Sequence, residues 1–238
     1  MASEPVVGAL HDSLLTALGT AIVSGEHPAG QVLTLDGLSA RHALSRSVVR
    51  EVIRVLESMG MVESRRRVGI TVQSADKWNV FDPRLIRWRL SAGDRAAQLV
   101  SLSELRRGFE PAAAALAARR ADPDQCRIMA ATVSDMVMHG RAGDLEAYLE
   151  ADKLFHRTLL EASGNEMFRA LDGVVAELLT GRTHHGIMPA TPNPAAIDLH
   201  DEVARAIRMR DEAAAEQAMR AIIDEASSAL SEESAEQS

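Results

Sequence analysis

"SRSVVREVIRVLESMG", residues 45–60, sets arginines at 46, 50 and 54 in a chain of 238 residues whose formal net charge is −8. Wound as a helix at about 100° per residue, residues 46–59 divide into two faces. Arg46, Ser47, Arg50, Glu51, Arg54, Glu57 and Ser58 share one arc, and Val48, Val49, Val52, Ile53, Val55, Leu56 and Met59 fill the other. The apolar arc buries the helix and leaves the arginines outside. Ser45 suits the helix start and Gly60 its end. Three exposed cations are often only a solvated face, so the flanking sequence decides what they are for.

Upstream, "LDGLSARHAL" (35–44) reads as a short helix and a tight connection into Ser45, and "ALHDSLLTALGTAIVSG" (9–25) repeats apolar residues at helical spacing. Downstream, "MVESRRRVGITVQ" (61–73) reads as two short strands joined by an arginine-rich tip. Helix, helix-turn-helix and a two-stranded wing make a winged-helix module. Charge supports an anionic partner for it. Residues 41–67 hold seven arginines against three glutamates, whereas residues 79–238 hold 18 Lys and Arg against 26 Asp and Glu.

Composition bounds the remainder. Apolar residues make up 46% and aromatics 3%, a mix that favours helices over sheets. Beyond Pro83, helical periodicity is expected near 83–91, 99–120, 123–139, 143–163, 165–181, 194–209 and 211–229. Asp122 before Pro123, Asp144 and Asn193 before Pro194 mark helix starts. The fold class is thus mainly α: an N-terminal winged helix-turn-helix with a small two-stranded wing, then an all-helical bundle of about six to seven helices. The expected domains are 1–75 for DNA binding, 76–97 as linker and connecting helix, 98–230 as the helical domain and 231–238 as a disordered tail. The single cysteine, Cys126, excludes an internal disulfide framework. The opening "MASEPVVGALHD" lacks a secretory pattern, and the run Ala112–Ala118 is too short for a bilayer. A cytoplasmic protein with no membrane partner is expected.

"IVSGEHPAGQVL", "LSARHALSRSVVREVIRVLESMGMV" and "RVGITV" resemble the DNA-binding domain of GntR-superfamily transcription regulators. The resemblance implies that the helix after Ser45 enters the major groove of an operator, with the wing beside it. Ser45, Arg46, Ser47 and Arg50 stand on that helix. Arg41 and the wing-tip Arg65, Arg66 and Arg67 are the expected phosphate contacts. One departure stands out: Asp36 occupies a place where the family often carries arginine. A small module of this kind implies a homodimer on a two-fold symmetric operator.

In "EADKLFHRTLLEASGN" (150–165), Asp152 and His156 are four apart and share a helical face. By itself such a pair is more often a satisfied side-chain contact than a site. Together with "ELRRGFEPAAAALAARRA" and "HDEVARAIRMRDEAAAEQAMRAI", it resembles the all-helical FCD effector domain of the FadR-type branch. That resemblance implies a divalent metal such as zinc held by one aspartate and three histidines, assisting a carboxylate effector. Asp152, His156 and His200 match three ligands, and Ile222 stands in place of the fourth. Three ligands plus effector or water oxygens still suit a transition metal, and His184 or His185 could supply a fourth. Without metal, Asp152 and His156 would hydrogen-bond the effector directly. Arg106 and Arg182 complete the expected effector-binding set, arginine being suited to carboxylates, although Arg182 equally fits a helix C-terminus. Asn165 is assigned to helix capping. "WNVFDPRLIRWRL" (78–90) resembles the connection in members that sense sugar acids, which makes an aldonate the expected effector class.

The leading reading is therefore a ligand-responsive regulator, expected to be a repressor. A metal-dependent hydrolase is the rival built from the same Asp/His set, but it has no placed general base and no G-x-S-x-G, H-E-x-x-H or Gly-rich phosphate loop, so no enzyme is expected. An effector-independent DNA-binding protein is the third reading. It has no need for Asp152, His156, His200 and Arg106 to converge, and finding the four scattered on the outside would rule out the effector reading.

Overall fold

The computed structural model describes residues 4–93, 95–185, 188–189 and 191–236, with the side chains of 4–7 and 228–236 left aside. The chain divides into two units, Met1–Arg95 and Ala96–Ser238.

In the first unit, α1 (Glu4–Val23) packs against α3 (Arg46–Ser58), and α2 (Leu35–His42) packs against α3 as well. Thr34 caps α2 and Ser45 caps α3, each side chain accepting a backbone N–H three residues on. Ala43, with φ 52°, ends α2 in the left-handed region and turns the chain into Ser45. The buried face of α3 is Val49, Val52, Ile53 and Leu56, the arc set by the periodicity. Strands β2 (Val62–Arg65) and β3 (Gly69–Val72) pair antiparallel as expected of a wing. A further strand, β1 (Val32–Leu33), lies on the other side of β3 and makes the sheet three-stranded, in the order β1-β3-β2. Two residues show no alternation to detect, which is why the sequence reads as a two-stranded wing. Helix α4 (Pro83–Ser91), expected in a connecting segment, packs onto α1, and its Leu85 and Trp88 join the core of this unit. The approach is close enough that a Cβ at Gly19 would strike the Trp88 ring.

The second unit is entirely helical among its described residues: α5 (Arg95–Arg120), α6 (Pro123–Ala142), α7 (Leu145–Ala162), α8 (Glu166–Arg169), α9 (Asp172–His184), α10 (Pro194–Arg208) and α11 (Glu212–Glu236). Asp122 and Gln125 form a reciprocal capping box at the start of α6. The stretch expected as one helix over 165–181 is two, because the chain turns at Ala170–Leu171 with neither glycine nor proline to announce it. Helix α11 continues to Glu236, where a disordered tail from 231 was expected. Its last residues are alanine, glutamate and serine, with no breaker among them. α7 lies at the centre, packed against α6 and α9, while α10 packs on α11 and α6. Tyr148, Phe155, Leu159 and Met136 fill the core around it, and Ala113, Ala114, Ala117 and Ala118 of α5 are fully buried. These contacts aim the polar residues of α5, α7 and α10 inward.

Candidate functional site

Arg106, Asp152, His156 and His200 are all buried, and all line one cavity of about 470 Å³ in the second unit. Asp152 and His156, one turn apart on α7, meet through Asp152 Oδ1 and His156 Nε2 at 3.4 Å. From α10, His200 brings Nε2 to 3.3 Å from the same oxygen. The ligand atoms of the three residues lie within 4.8 Å of one another. His200 Nδ1 donates to the carbonyl of Ala196 at 2.6 Å, since a carbonyl can only accept, so in the neutral ring Nε2 carries the lone pair. Asp152 Oδ1 and that Nε2 then face each other as two acceptors without a hydrogen bond. A shared cation resolves that contact, and the donor set of one carboxylate and two imidazoles fits a divalent transition metal.

Behind these residues lies Glu110, a buried carboxylate that the sequence reading did not single out. It accepts from Arg106 Nε at 3.0 Å and from Arg106 Nη2 at 2.8 Å, and it stands 3.4 Å from His156 Nδ1. Arg106 Nη2 also reaches His156 Nε2 at 3.2 Å. Arg106 is therefore held by Glu110 before any ligand arrives. Its i,i+4 spacing to Glu110 was readable, but the burial that makes the pair matter was not.

Burial opposes every charge here, and the outcomes differ with the neighbours. Desolvation would raise the Glu110 carboxyl, but Arg106 and then His156 outweigh it and hold it at about 2. Burial would raise the Asp152 carboxyl as well, but the adjacent His156 and His200 rings outweigh it and hold it well below the usual carboxylate range. His156 would be lowered by burial but is raised by the Glu110 charge. Burial, with repulsion from Arg106, lowers Arg182. Arg182 lines the cavity from α9, and its buried Nε has no hydrogen-bond partner.

Ile222 lines the cavity too, so an aliphatic side chain faces the cluster where a fourth ligand was sought. His184 does not replace it, because its Nε2 pairs with Glu146 at 2.9 Å on the surface. His185, the residue after α9, is not among the cavity residues. Asn165 caps α8, accepting from the Met167 N–H at 3.0 Å.

On the first unit, Arg46, Ser47, Arg50 and Arg54 lie on the exposed face of α3. Arg46 is in ion contact with Asp36 of α2. Arg54 pairs with Glu51 at 2.7 Å, Arg41 with Glu26 at 2.9 Å, and Arg65 with Glu63 at 2.9 Å. Arg50, Arg66 and Arg67 form no ion pair among the described residues. Glu57, near the end of α3, accepts the backbone N–H of Ser64 at 2.6 Å and so fastens the wing to the helix.

A winged helix-turn-helix with exposed arginines, followed by a helical unit around a charged cavity, is the architecture of a DNA-binding transcription regulator with a second, all-helical domain. Residues 10–72 match the model of bacterial regulatory proteins of the gntR family, and residues 101–225 match the FCD domain. The chain belongs to the GntR family of transcription regulators, in its FCD-bearing branch. It is 30% identical over 224 residues to the galactonate operon transcriptional repressor of Escherichia coli K12, covering 93% of this chain and 96% of that one. Among solved structures, Lar of Listeria monocytogenes aligns with TM-score 0.58 at 17% identity over 93% of this chain and 96% of that one. E. coli McbR/YncC aligns with TM-score 0.56 at 16% identity over 98% and 99%. These two carry the fold alone. The family and its relatives are transcription regulators, not hydrolases. No described helix is long and apolar enough to cross a membrane.

Proposed function

We propose that this regulator is a cytoplasmic repressor that binds a two-fold symmetric operator as a homodimer and responds to a small carboxylate. The observation that carries the reading is the convergence of Arg106, Arg182, His156 and His200 on one cavity of the second unit. An effector-independent protein would have no use for buried polar groups that lack partners there. Asp152, His156 and His200 would hold the divalent ion, which supplies open coordination positions to carboxylate oxygens. Arg182 contributes a guanidinium with an unpartnered Nε, and Arg106, braced by Glu110, lends its remaining N–H groups. The effector then favours one arrangement of the two DNA-binding modules, and differential affinity for the two arrangements is all that is required.

On the DNA side, Arg46, Ser47 and Arg50 face the major groove, Ser45 closes the helix start against the backbone, and Arg41, Arg65, Arg66 and Arg67 meet phosphates. An aldonate is the effector class favoured by the relationship to the galactonate operon repressor. The test is a thermal-shift screen of sugar acids and small dicarboxylates, with added Zn²⁺ and with chelator. A ligand at a hundred times its Kd stabilises by about 2.7 kcal/mol, which for a protein of this size is a shift of roughly 5–10 °C. The same ligand should alter the mobility shift of the chain's own upstream DNA. A screen with no hit and no effect on that shift would refute the effector reading.

A further inference from the structure

The cavity has three polar wall residues that the proposed effector site does not use: Tyr148, Asn193 and Glu225. Glu225 stands on α11, three residues after Ile222 and so on the same side of that helix. Asn193 caps α10. Its Oδ1 accepts the Ala195 N–H at 3.1 Å, while its Nδ2 donates to Glu225 Oε1 at 2.9 Å. Glu225 Oε2 makes no hydrogen bond, and Glu225 no ion pair, among the described residues. The Glu225 charge is felt by both Tyr148 and Arg182, which places it within the same electrostatic neighbourhood.

A carboxylate with no direct ion pair is an odd furnishing for a pocket that receives an anion. It repels a second negative group on the ligand, and it accepts strongly from a hydroxyl. Rejection of the wrong ligand by a like charge is a common source of specificity, and a site built to hydrogen-bond a hydroxyl discriminates sharply against analogues that lack it. Arg106 is already engaged by Glu110, so of the two guanidiniums in the wall Arg182 is the one with a buried, unpartnered N–H to offer a ligand carboxylate. A second carboxylate would have Glu225 for company.

We infer that Glu225, oriented by Asn193, determines the specificity of the pocket: it accepts a hydroxyl from a polyhydroxylated monocarboxylate and excludes the matching dicarboxylate. This rests on the cavity being the effector site. The decisive ligands are pairs that differ only at the far end, galactonate against galactarate and gluconate against glucarate, with hexanoate as the acid without hydroxyls. Titration calorimetry on the full-length protein should give, for at least one pair, an aldonate bound ten times or more tightly than its aldarate and than hexanoate. Glu225→Gln keeps an acceptor for Asn193 and removes the charge. It should narrow the aldonate-to-aldarate ratio at least fivefold, chiefly by tightening the aldarate, whereas Arg182→Ala should weaken both members of a pair. An unchanged ratio in Glu225→Gln, or a wild type that prefers the aldarate or hexanoate, overturns the role of Glu225 and leaves the effector site standing. No binding of any of the five acids to the wild type overturns the inference, and binding unaffected by Arg182→Ala overturns the effector site and the inference with it.

Discussion

Arg46 begins the helix proposed to enter the major groove, yet in the free protein it is engaged by Asp36, with both side chains about two-thirds exposed. An exposed pair of this kind is worth about 0–1 kcal/mol, so a phosphate or a base edge can take the arginine from it. Arg46→Ala and Arg50→Ala should each weaken operator binding by roughly tenfold, about the lower end of a good base contact, with no change in melting temperature. Fluorescence anisotropy at fixed salt checks this, and unchanged affinity would refute the docking of α3. Asp36→Asn should act in the opposite sense, tightening DNA binding a few-fold and steepening its salt dependence, because Arg46 is then free to displace a counterion. In the second unit, Ile222 is the residue whose replacement is most informative. Ile222→His adds an imidazole to a wall shared with Asp152, His156 and His200. Competition with a chromogenic chelator should show Zn²⁺ bound at least about tenfold more tightly. No gain would mean that position 222 does not face the three ligands.

Two local devices operate at the level of helices and strands. Glu57 ties α3 to β2 through the Ser64 N–H, so the angle between recognition helix and wing depends on one side chain. Glu57→Ala should lower operator affinity by several-fold and destabilise the first unit by about 1.5 kcal/mol, the lower end for a lost bond to a charged acceptor. The Arg106–Glu110 pair does for α5 what Glu57 does for the wing. Leaving Arg106 buried without its partner costs about 3–5 kcal/mol, and the melting temperature of Glu110→Gln should fall accordingly. The pH dependence follows from the same pair. The folded-state value of Glu110, about 2, lies below its ordinary 4.5. Its stabilisation is therefore complete above about pH 5 and lost as pH falls from there towards 2. Asp152 acts in the same direction. His156, being raised, contributes below its ordinary value and ceases to as pH rises through its folded one. A pH series of melting temperatures should show the acid loss in the wild type. Much of the helical layout was legible in the sequence, because α3, α6, α7 and α10 carry a clean period and named caps. The strand β1 and the break between α8 and α9 were not, since neither leaves a pattern in composition. Asp152 and His156 were legible as an i,i+4 pair. Glu110, Tyr148, Asn193 and Glu225 were not, because only tertiary packing brings α5, α10 and α11 to the same cavity.

For the whole molecule, charge and function divide along the same line. The basic stretch 41–67 lies in the first unit, and the acidic excess lies mainly in the part that holds the charged cavity. The two hydrophobic cores have no residue in common: one is built from α1 to α4 and the sheet, the other from α5 to α11. The calorimetric consequence is that melting need not be a single cooperative event. A scan should resolve two endotherms, and only one of them should climb when an effector or Zn²⁺ is added. The other should respond to operator DNA instead. A single endotherm that both kinds of ligand raise together would mean that the two cores melt as one, and that the message from sensor to DNA travels through their joint stability.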